Sequence, residues 1–351
     1  MTKDTLRYFT WAFIVTGVGL ALAAGLGWAR TGTLSGMLSF LLIGAILAVL
    51  EISLSFDNAI VNANKLKDMT PLWQKRFLTW GIVIAVFGMR IIFPLAVVVV
   101  AAKIGPWAAI KLAASEPDQY ARIMDEAHVG IAAFGGAFLM MVALSYFIDE
   151  AKDVDWIKSI ERQLRRCASI WGLQITVVLL ILLGFGGALP VTERATFLFA
   201  GLFGLVTFTL VEMLGHALDN HDRARSVAGA GGVGAFLYLE VLDASFSFDG
   251  VIGAFALTQN LFLIAIGLGI GAMYVRSMTI MLVEQKTLAQ FRYLEHGAFY
   301  SIFALAVIMF AQSVTHVHEL ITGLIGAGLI LTALWASLRY NKKLAEAEEG
   351  A

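Results

Sequence analysis

The sequence predicts an all-α, polytopic membrane protein of about ten transmembrane helices built around two inverted three-helix repeats. Three observations carry that expectation. Of 351 residues, 59% are hydrophobic and only 15% charged, with a mean hydropathy of +0.80, too apolar for a soluble α/β enzyme of this size. The apolar residues gather in runs of about 20, the length that crosses a bilayer. Two of those runs carry nearly the same acidic phrase, EISLSFDN over 51–58 and DASFSFDG over 243–250.

The runs, marked off by charged or proline-bearing segments, cover 10–28, 35–62, 77–102, 129–149, 170–189, 196–217, 230–258, 261–283, 297–313 and 319–338. Pro190 lies in one short connector. Gln259 and Asn260 form another so tight that the helices on either side must be antiparallel neighbours. The expected organisation is an N-terminal transmembrane helix over 1–34, a first repeat over 35–150, a loop and two connector helices over 151–228, an inverted second repeat over 229–314, and a C-terminal helix and tail over 315–351. The N-terminus does not read as a cleavable signal, because its apolar run continues to Trp28, beyond a typical h-region. The lone Cys167 offers neither a disulfide framework nor a thiolate metal cage.

Placement of basic residues sets the orientation. Eighteen Lys and Arg fall on one side of the alternating spans, from Lys3 and Arg7 to Lys342 and Lys343, against five on the other: Arg30, Lys103, Lys111, Arg122 and Arg194. By the positive-inside rule the richer side is cytoplasmic, and both termini are expected there. Only Arg90 and Arg276 remain inside spans. In this topology span 35–62 runs inward and span 230–258 outward, so the two acidic phrases sit upside down relative to one another, as in inverted-repeat transporters.

The repeat extends beyond the phrase. Glu51, Ser55 and Asp57 align with Asp243, Ser247 and Asp249; the following spans carry GIVIAVFGMR ending at Arg90 and GLGIGAMYVR ending at Arg276; and each third span follows an acid and a histidine, Glu126 with His128 and Glu295 with His296. Carboxylates in hydrocarbon are costly, ~2.5–3.5 kcal/mol each on insertion scales. Two matched sets therefore suggest a site built twice.

On an unbroken helix Glu51 and Ser55 share a face, whereas Asp57 falls about 120° away; for all three to address one centre the helix must unwind near Ser55. Gly229, Gly231, Gly232, Gly234, Gly250 and Gly253 suggest a broken or kinked helix in the second copy. Glu240, Asp243 and Ser247 follow an i, i+3, i+7 stripe on one face. Together Glu51, Asp57, Glu240, Asp243 and Asp249, with Ser55, Ser247 and Asn58, make an all-oxygen metal set suited to a hard divalent cation such as Mn²⁺, Mg²⁺ or Ca²⁺. Zinc and copper fit poorly, since no Cys or His lies within the motifs. Arg90 and Arg276 are expected to act as counter-charges when the metal leaves.

Plainer readings compete. Buried acids can pair with Arg90 and Arg276 as structural glue. Ser53, Ser245 and most of the glycines read as packing residues, and Glu212 with His216 reads equally as an interfacial pair or a proton relay. His128, His296, His316 and His318 read as solvated, with His316 and His318 a weak outer-surface metal candidate. Segment 149–166 reads as a solvated amphipathic helix.

The phrases LEISLSFDNAIVNA, FGGAFLMMVALSYFIDEAKDVDW, HALDNHDRARSVAGAGGVGAFLYLEVLDASFSFDGVIGAFALT and YLEHGAFYSIFALA resemble a bacterial branch of the TerC-like integral membrane proteins, over nearly the whole chain from Glu51 onward. The resemblance implies the inverted three-helix repeats of the wider LysE-type transporter superfamily, an association with tellurite resistance and, in several members, Mn²⁺ export. It implies ligand roles for Glu51, Asp57 and Asn58 in the first half and for Asp243 and Asp249 in the second. Gly250 stands where the TerC-like motif usually has Ser, and Glu240 is an addition.

The expected function is therefore divalent metal-ion transport in the bacterial inner membrane, with Mn²⁺ export by alternating access as the leading reading and no enzymatic activity. A non-transporting metal-stress scaffold or sensor is the alternative. An intramembrane hydrolase is disfavoured, because neither H-E-x-x-H nor a Ser/His pairing is present. The expected partners are membrane lipid and the divalent cation, transported or bound; no nucleic acid is expected, and a homo-oligomer is left open.

Overall fold

The computed structural model describes residues 3–349 except 68, 82, 150–151, 153, 171, 225–231, 286–289, 316 and 318. It is 87% helix, with no strand among the described residues. The order is α1 (Lys3–Tyr8), α2 (Thr10–Thr31), α3 (Leu34–Leu54), α4 (Phe56–Leu66), α5 (Pro71–Arg76), π-helical segments Phe77–Gly81 and Ile84–Ile92, α6 (Phe93–Ala102), α7 (Pro106–Ser115) and α8 (Pro117–Glu126). There follow α9 (His128–Phe147), α10 (Lys158–Arg166), α11 (Leu173–Ala188), α12 (Val191–Ala224), α13 (Val233–Leu257), α14 (Leu261–Glu284), α15 (Leu294–Gln312) and α16 (Glu319–Glu349).

Among the described residues seven helices are long and apolar enough to cross a membrane: α2, α3, α9, α12, α14, α15 and α16. The periphery agrees. Trp11 and Leu22 on α2, Leu42 and Val49 on α3, Phe199 and Phe203 on α12, and Leu324 and Leu331 on α16 all lie exposed, an apolar surface suited to lipid rather than water. The chain is a multi-pass membrane protein.

Three of the runs marked in the sequence depart from plain spans, each for a physical reason. Run 77–102 is wound partly as π-helix, which shifts the main-chain ladder and re-aims side chains; its last part, Arg90–Ala102, forms with α7 a pair bent by 106° that counts as an eighth crossing if taken as one span. Run 170–189 yields α11, only 16 residues long. Run 230–258 becomes α13, 25 residues long, whose Glu240, Asp243 and Asp249 make it too acidic to qualify on hydropathy. The connector before His128 is itself helical. Pro106 and Pro117 stand in the first turns of α7 and α8, where a fixed φ helps and a missing N–H costs nothing.

The expected unwinding at Ser55 is present but slight. Ser55 alone separates α3 from α4, at φ −102° and ψ 17°, and the Ser55 N–H to Glu51 carbonyl bond (2.9 Å) and the Ala59 N–H to Ser55 carbonyl bond (3.3 Å) run across it. Gly229 and Gly231 lie outside the described residues, and no break occurs within α13, which is continuous from Val233 to Leu257. Its interior glycine at 250 serves close approach instead: a Cβ there would stand 2.9 Å from Glu51 Oε2.

Glycine also brings α14 onto α3. A Cβ on Gly271 would lie 2.5 Å from Glu51 Cβ, and one on Gly267 would lie 2.5 Å from Leu47 Cβ. Gly271→Ala should therefore lower stability by ~1–3 kcal/mol through overpacking. Gly25→Ala on α2, where a Cβ meets nothing within 4 Å, should leave it unchanged or slightly raised. Thermal unfolding in detergent reads both; equal melting of the two variants would contradict the contact.

The amphipathic helix read in segment 149–166 is present as α10 (Lys158–Arg166), with Lys158, Ser159, Ile160, Arg162, Gln163 and Arg166 exposed, but its buried face is anchored to the rest of the molecule. Glu161 on α10 is 1% exposed. Its carboxylate accepts from Lys152 Nζ (2.6 Å), the N–H groups of Trp156 (3.2 Å) and Ile157 (3.0 Å), and Tyr300 Oη (3.2 Å). His296, read as solvated, is buried: its Nε2 donates to the Val154 carbonyl at 2.8 Å and lies 3.4 Å from Glu161 Oε2.

Burial alone would raise the Glu161 pKa, but hydrogen bonds from His296, Lys152 and the Ile157 N–H outweigh it and hold the carboxyl at about 2, against an ordinary 4.5. A folded-state value below the unfolded one contributes stability above pH 4.5 that disappears as pH falls toward 2, about 3 kcal/mol in all. Amide-exchange protection of α10, corrected for intrinsic rate, should fall across that window in the wild type and be low and flat in Glu161→Gln. A flat wild-type profile would contradict the anchor.

Candidate functional site

The centre of the molecule lies where α3 and α4 meet α13 and α14. α4 and the second π-helical segment both pack on α14, and α13 touches that segment together with α3 and α4. Between them is a cavity of about 40 Å³ whose polar wall is Glu51, Ser55, Asn58, Asn62, Arg90, Asp243, Arg276 and Thr279. That is room for one or two waters or a bare ion. Its charged wall balances two carboxylates against two guanidiniums.

Glu51 is 2% exposed and already engaged. Its Oε1 accepts from Ser55 Oγ at 3.0 Å and forms a buried ion pair with Arg90. Arg90 Nε donates across the interface to the Leu268 carbonyl on α14 at 3.2 Å. In the opposite sense Arg276 Nε, from α14, donates to the Leu78 carbonyl in the first π-helical segment at 2.9 Å. Each arginine thus bonds main chain in the run that carries the other.

Asp243 accepts from Asn62 Nδ2 at 2.9 Å, a bond between the two halves of the chain. Around it several buried acceptors have no hydrogen-bond partner: Asn58 Oδ1, Asn62 Oδ1 and both carboxylate oxygens of Glu240. Glu240 is 7% exposed and stands against Gly81, where a Cβ would come within 2.7 Å of its Oε1. Buried acceptors left unpaired are each unfavourable by ~1–3 kcal/mol, so their clustering is the most unusual feature of the site.

Asp57 points elsewhere. Its Oδ1 accepts from the Asn58 N–H at 2.8 Å and its Oδ2 from Ser301 Oγ on α15 at 2.7 Å. It lines a second cavity of about 20 Å³, together with Glu51, Ser55, Ser301, Thr322 and Gly326. The one-residue break at Ser55 is too small to swing Asp57 round, so helical phase keeps it on the far face. The side chains of Ser247 and Asp249, though carried on α13, lie outside the described residues, as do that of His216 and residues His316 and His318. Among the described residues no three of His, Cys, Asp and Glu gather into a metal-holding group.

Asn62, Ser301 and Thr322 were not singled out from the sequence. Asn62 had a signal, since Ser55, Asn58 and Asn62 follow the same i, i+3, i+7 stripe as Glu240, Asp243 and Ser247. Hydroxyls such as Ser301 and Thr322 are common packing residues in apolar helices and gave none.

Fold and site together define a helical, multi-pass membrane protein with a buried, charge-balanced polar centre. The chain belongs to the family described as "Protein of unknown function (DUF475)", whose model matches residues 56–344. That stretch holds Asp57, Asn58, Arg90, Glu240, Asp243, Asp249 and Arg276, while Glu51 and Ser55 lie just before it. No curated protein and no solved structure matches the chain.

Proposed function

We propose that the protein transports a divalent metal ion through the cavity between α3–α4 and α13, with Mn²⁺ export first among the candidates. The observation that carries this reading is the pair of unpartnered buried oxygens on Asn58 and Asn62 in the cavity wall beside the carboxylates of Glu51 and Asp243, with the unpartnered Glu240 carboxylate behind the wall at Gly81. All are hard oxygen donors, the set preferred by Mn²⁺, Mg²⁺ and Ca²⁺. On this reading the pairing of Glu51 with Arg90 and of Asp243 with Asn62 belongs to the metal-free form. An arriving cation competes for those carboxylates, and Arg90 and Arg276 neutralise them again when it departs.

The same proposal takes the halves as inverted repeats. The runs 77–102, 170–189 and 230–258 then join the seven long helices to make ten crossings. The reciprocal arginine-to-carbonyl bonds support it, since a twofold relation in the membrane plane exchanges Arg90 with Arg276. Alternating access would be a rocking of one repeat against the other. Membership of the TerC-like group, the bacterial inner membrane and cytoplasmic termini rest on the motif resemblance and on the basic-residue count; no enzymatic step is invoked.

A second reading, a metal-stress sensor that does not transport, is favoured by one observation. α15 carries both Ser301, which holds Asp57, and His296, which holds segment 152–166, so a change at the centre has a route to the loop. Uptake of ⁵⁴Mn²⁺ into proteoliposomes separates the two. Saturable, protein-dependent flux is expected; binding without flux selects the sensor, and absence of both removes the metal from either reading.

A further inference from the structure

We propose that the end of α16 where it leaves the membrane is a binding site for the headgroup of an anionic phospholipid, formed by Arg292, Arg339 and Lys343 beside Trp335. α16 is one of the membrane-crossing helices, and its lipid-facing stripe passes directly from apolar to basic. Leu331, Trp335 and Leu338 are 63%, 55% and 51% exposed; Arg339, Lys342 and Lys343 follow at once and are exposed as well. Trp335, Arg339 and Lys343 stand four residues apart, so they share one face of the helix. An exposed tryptophan that ends an apolar stripe sits at headgroup depth, which sets the level of the charges beside it.

Two of the three charges are held in place. The Arg339 guanidinium lies 3.7 Å from the centre of the Trp335 ring, a stack that fixes it near the lipid phosphates. The Arg292 guanidinium lies 4.9 Å from the centre of the Tyr340 ring, and its Nη1 donates to Tyr340 Oη at 3.3 Å. The segment that carries Arg292 is tied to α16 by the Tyr293 N–H, which donates to Ser337 Oγ (2.9 Å), and by Asn341 Nδ2, which donates to the Gln290 carbonyl (2.8 Å). Among the described residues the carboxylate paired with this group is Glu346, 3.8 Å from Lys342; none stands within ion-pair distance of Arg292, Arg339 or Lys343. Basic side chains without counter-ions, directly beyond a membrane helix, fit a headgroup phosphate, which guanidiniums bind through paired hydrogen bonds. Trp335 and Leu338 extend the surface into the acyl layer, which favours a lipid over a soluble anion.

None of these residues lines either central cavity, so the site stands apart from the transport reading. The test is fluorescence quenching of the full chain in phosphatidylcholine bilayers that contain either brominated-chain phosphatidylglycerol or brominated-chain phosphatidylcholine. Subtracting the signal of Trp335→Phe isolates the emission of Trp335. Phosphatidylglycerol is expected to quench that emission at a lower mole fraction than phosphatidylcholine. The preference should fall about fivefold in Arg339→Gln, the effect of losing one basic group at a membrane surface, and vanish in Arg339→Gln/Lys343→Gln. Should the double variant fail to reconstitute, Lys343→Gln alone, which keeps the Arg339 stack, must still weaken it. Equal quenching by the two lipids in wild type, or a preference that survives these substitutions, overturns the proposal. So does loss of the preference on adding inorganic phosphate at constant ionic strength, which would assign the site to a soluble anion.

Discussion

Replacing Arg90 by leucine is expected to destabilise the protein by ~3–5 kcal/mol, the penalty for leaving a buried carboxylate without its partner. The side chains of Arg90 and Glu51 are 7% and 3% exposed, so water cannot substitute for the lost guanidinium. The Leu268 carbonyl loses its donor as well. The double variant Glu51→Gln/Arg90→Leu removes both charges and should recover much of that loss, because a neutral pair carries no desolvated ion. Thermal unfolding in detergent of wild type, both single variants and the double variant gives the coupling directly. Losses that simply add would mean that Glu51 and Arg90 do not act as a pair.

Asp243→Asn is expected to leave the fold intact and to reduce Mn²⁺ uptake by at least ~100-fold. Asp243 is the second-half acid that faces the first-half cavity wall, and its Oδ1 is held by Asn62 from the other half. The amide keeps the shape and removes the charge that would attract a cation. The substitution breaks no direct salt bridge and loses only the longer-range attraction between Asp243 and Arg90, so a small loss of stability beside the large loss of flux is expected. Flux in proteoliposomes, alongside the melting temperature, separates a functional loss from a structural one. Undiminished flux would place the ion path elsewhere.

The duplicated acids were legible because charge in an apolar run is conspicuous: Glu51, Asp243, Arg90 and Arg276 stood out by cost alone, and all four line one cavity. The direction of Asp57 was not legible. Which face it takes depends on how far the helix opens at Ser55, and a single residue with main-chain hydrogen bonds intact across it leaves the helical phase nearly unchanged. The glycines around α13 misled for a related reason: a glycine marks either a break or a close approach, and Gly250 answers to the second through its contact with Glu51. His296 looked like a residue at a span end, and only the fold of segment 152–166 over it reveals its burial against Val154 and Glu161. The hydroxyls of Ser301 and Thr322 carry no signal until α15 and α16 are brought beside α4.

Anomalous diffraction at the manganese edge, from crystals of the full chain grown with saturating Mn²⁺, tests the metal path most directly. A peak is expected in the cavity bounded by Glu51, Asn58 and Asp243, with the Arg90 guanidinium moved off Glu51. A map with no peak there, and with Arg90 still seated on Glu51, would contradict it.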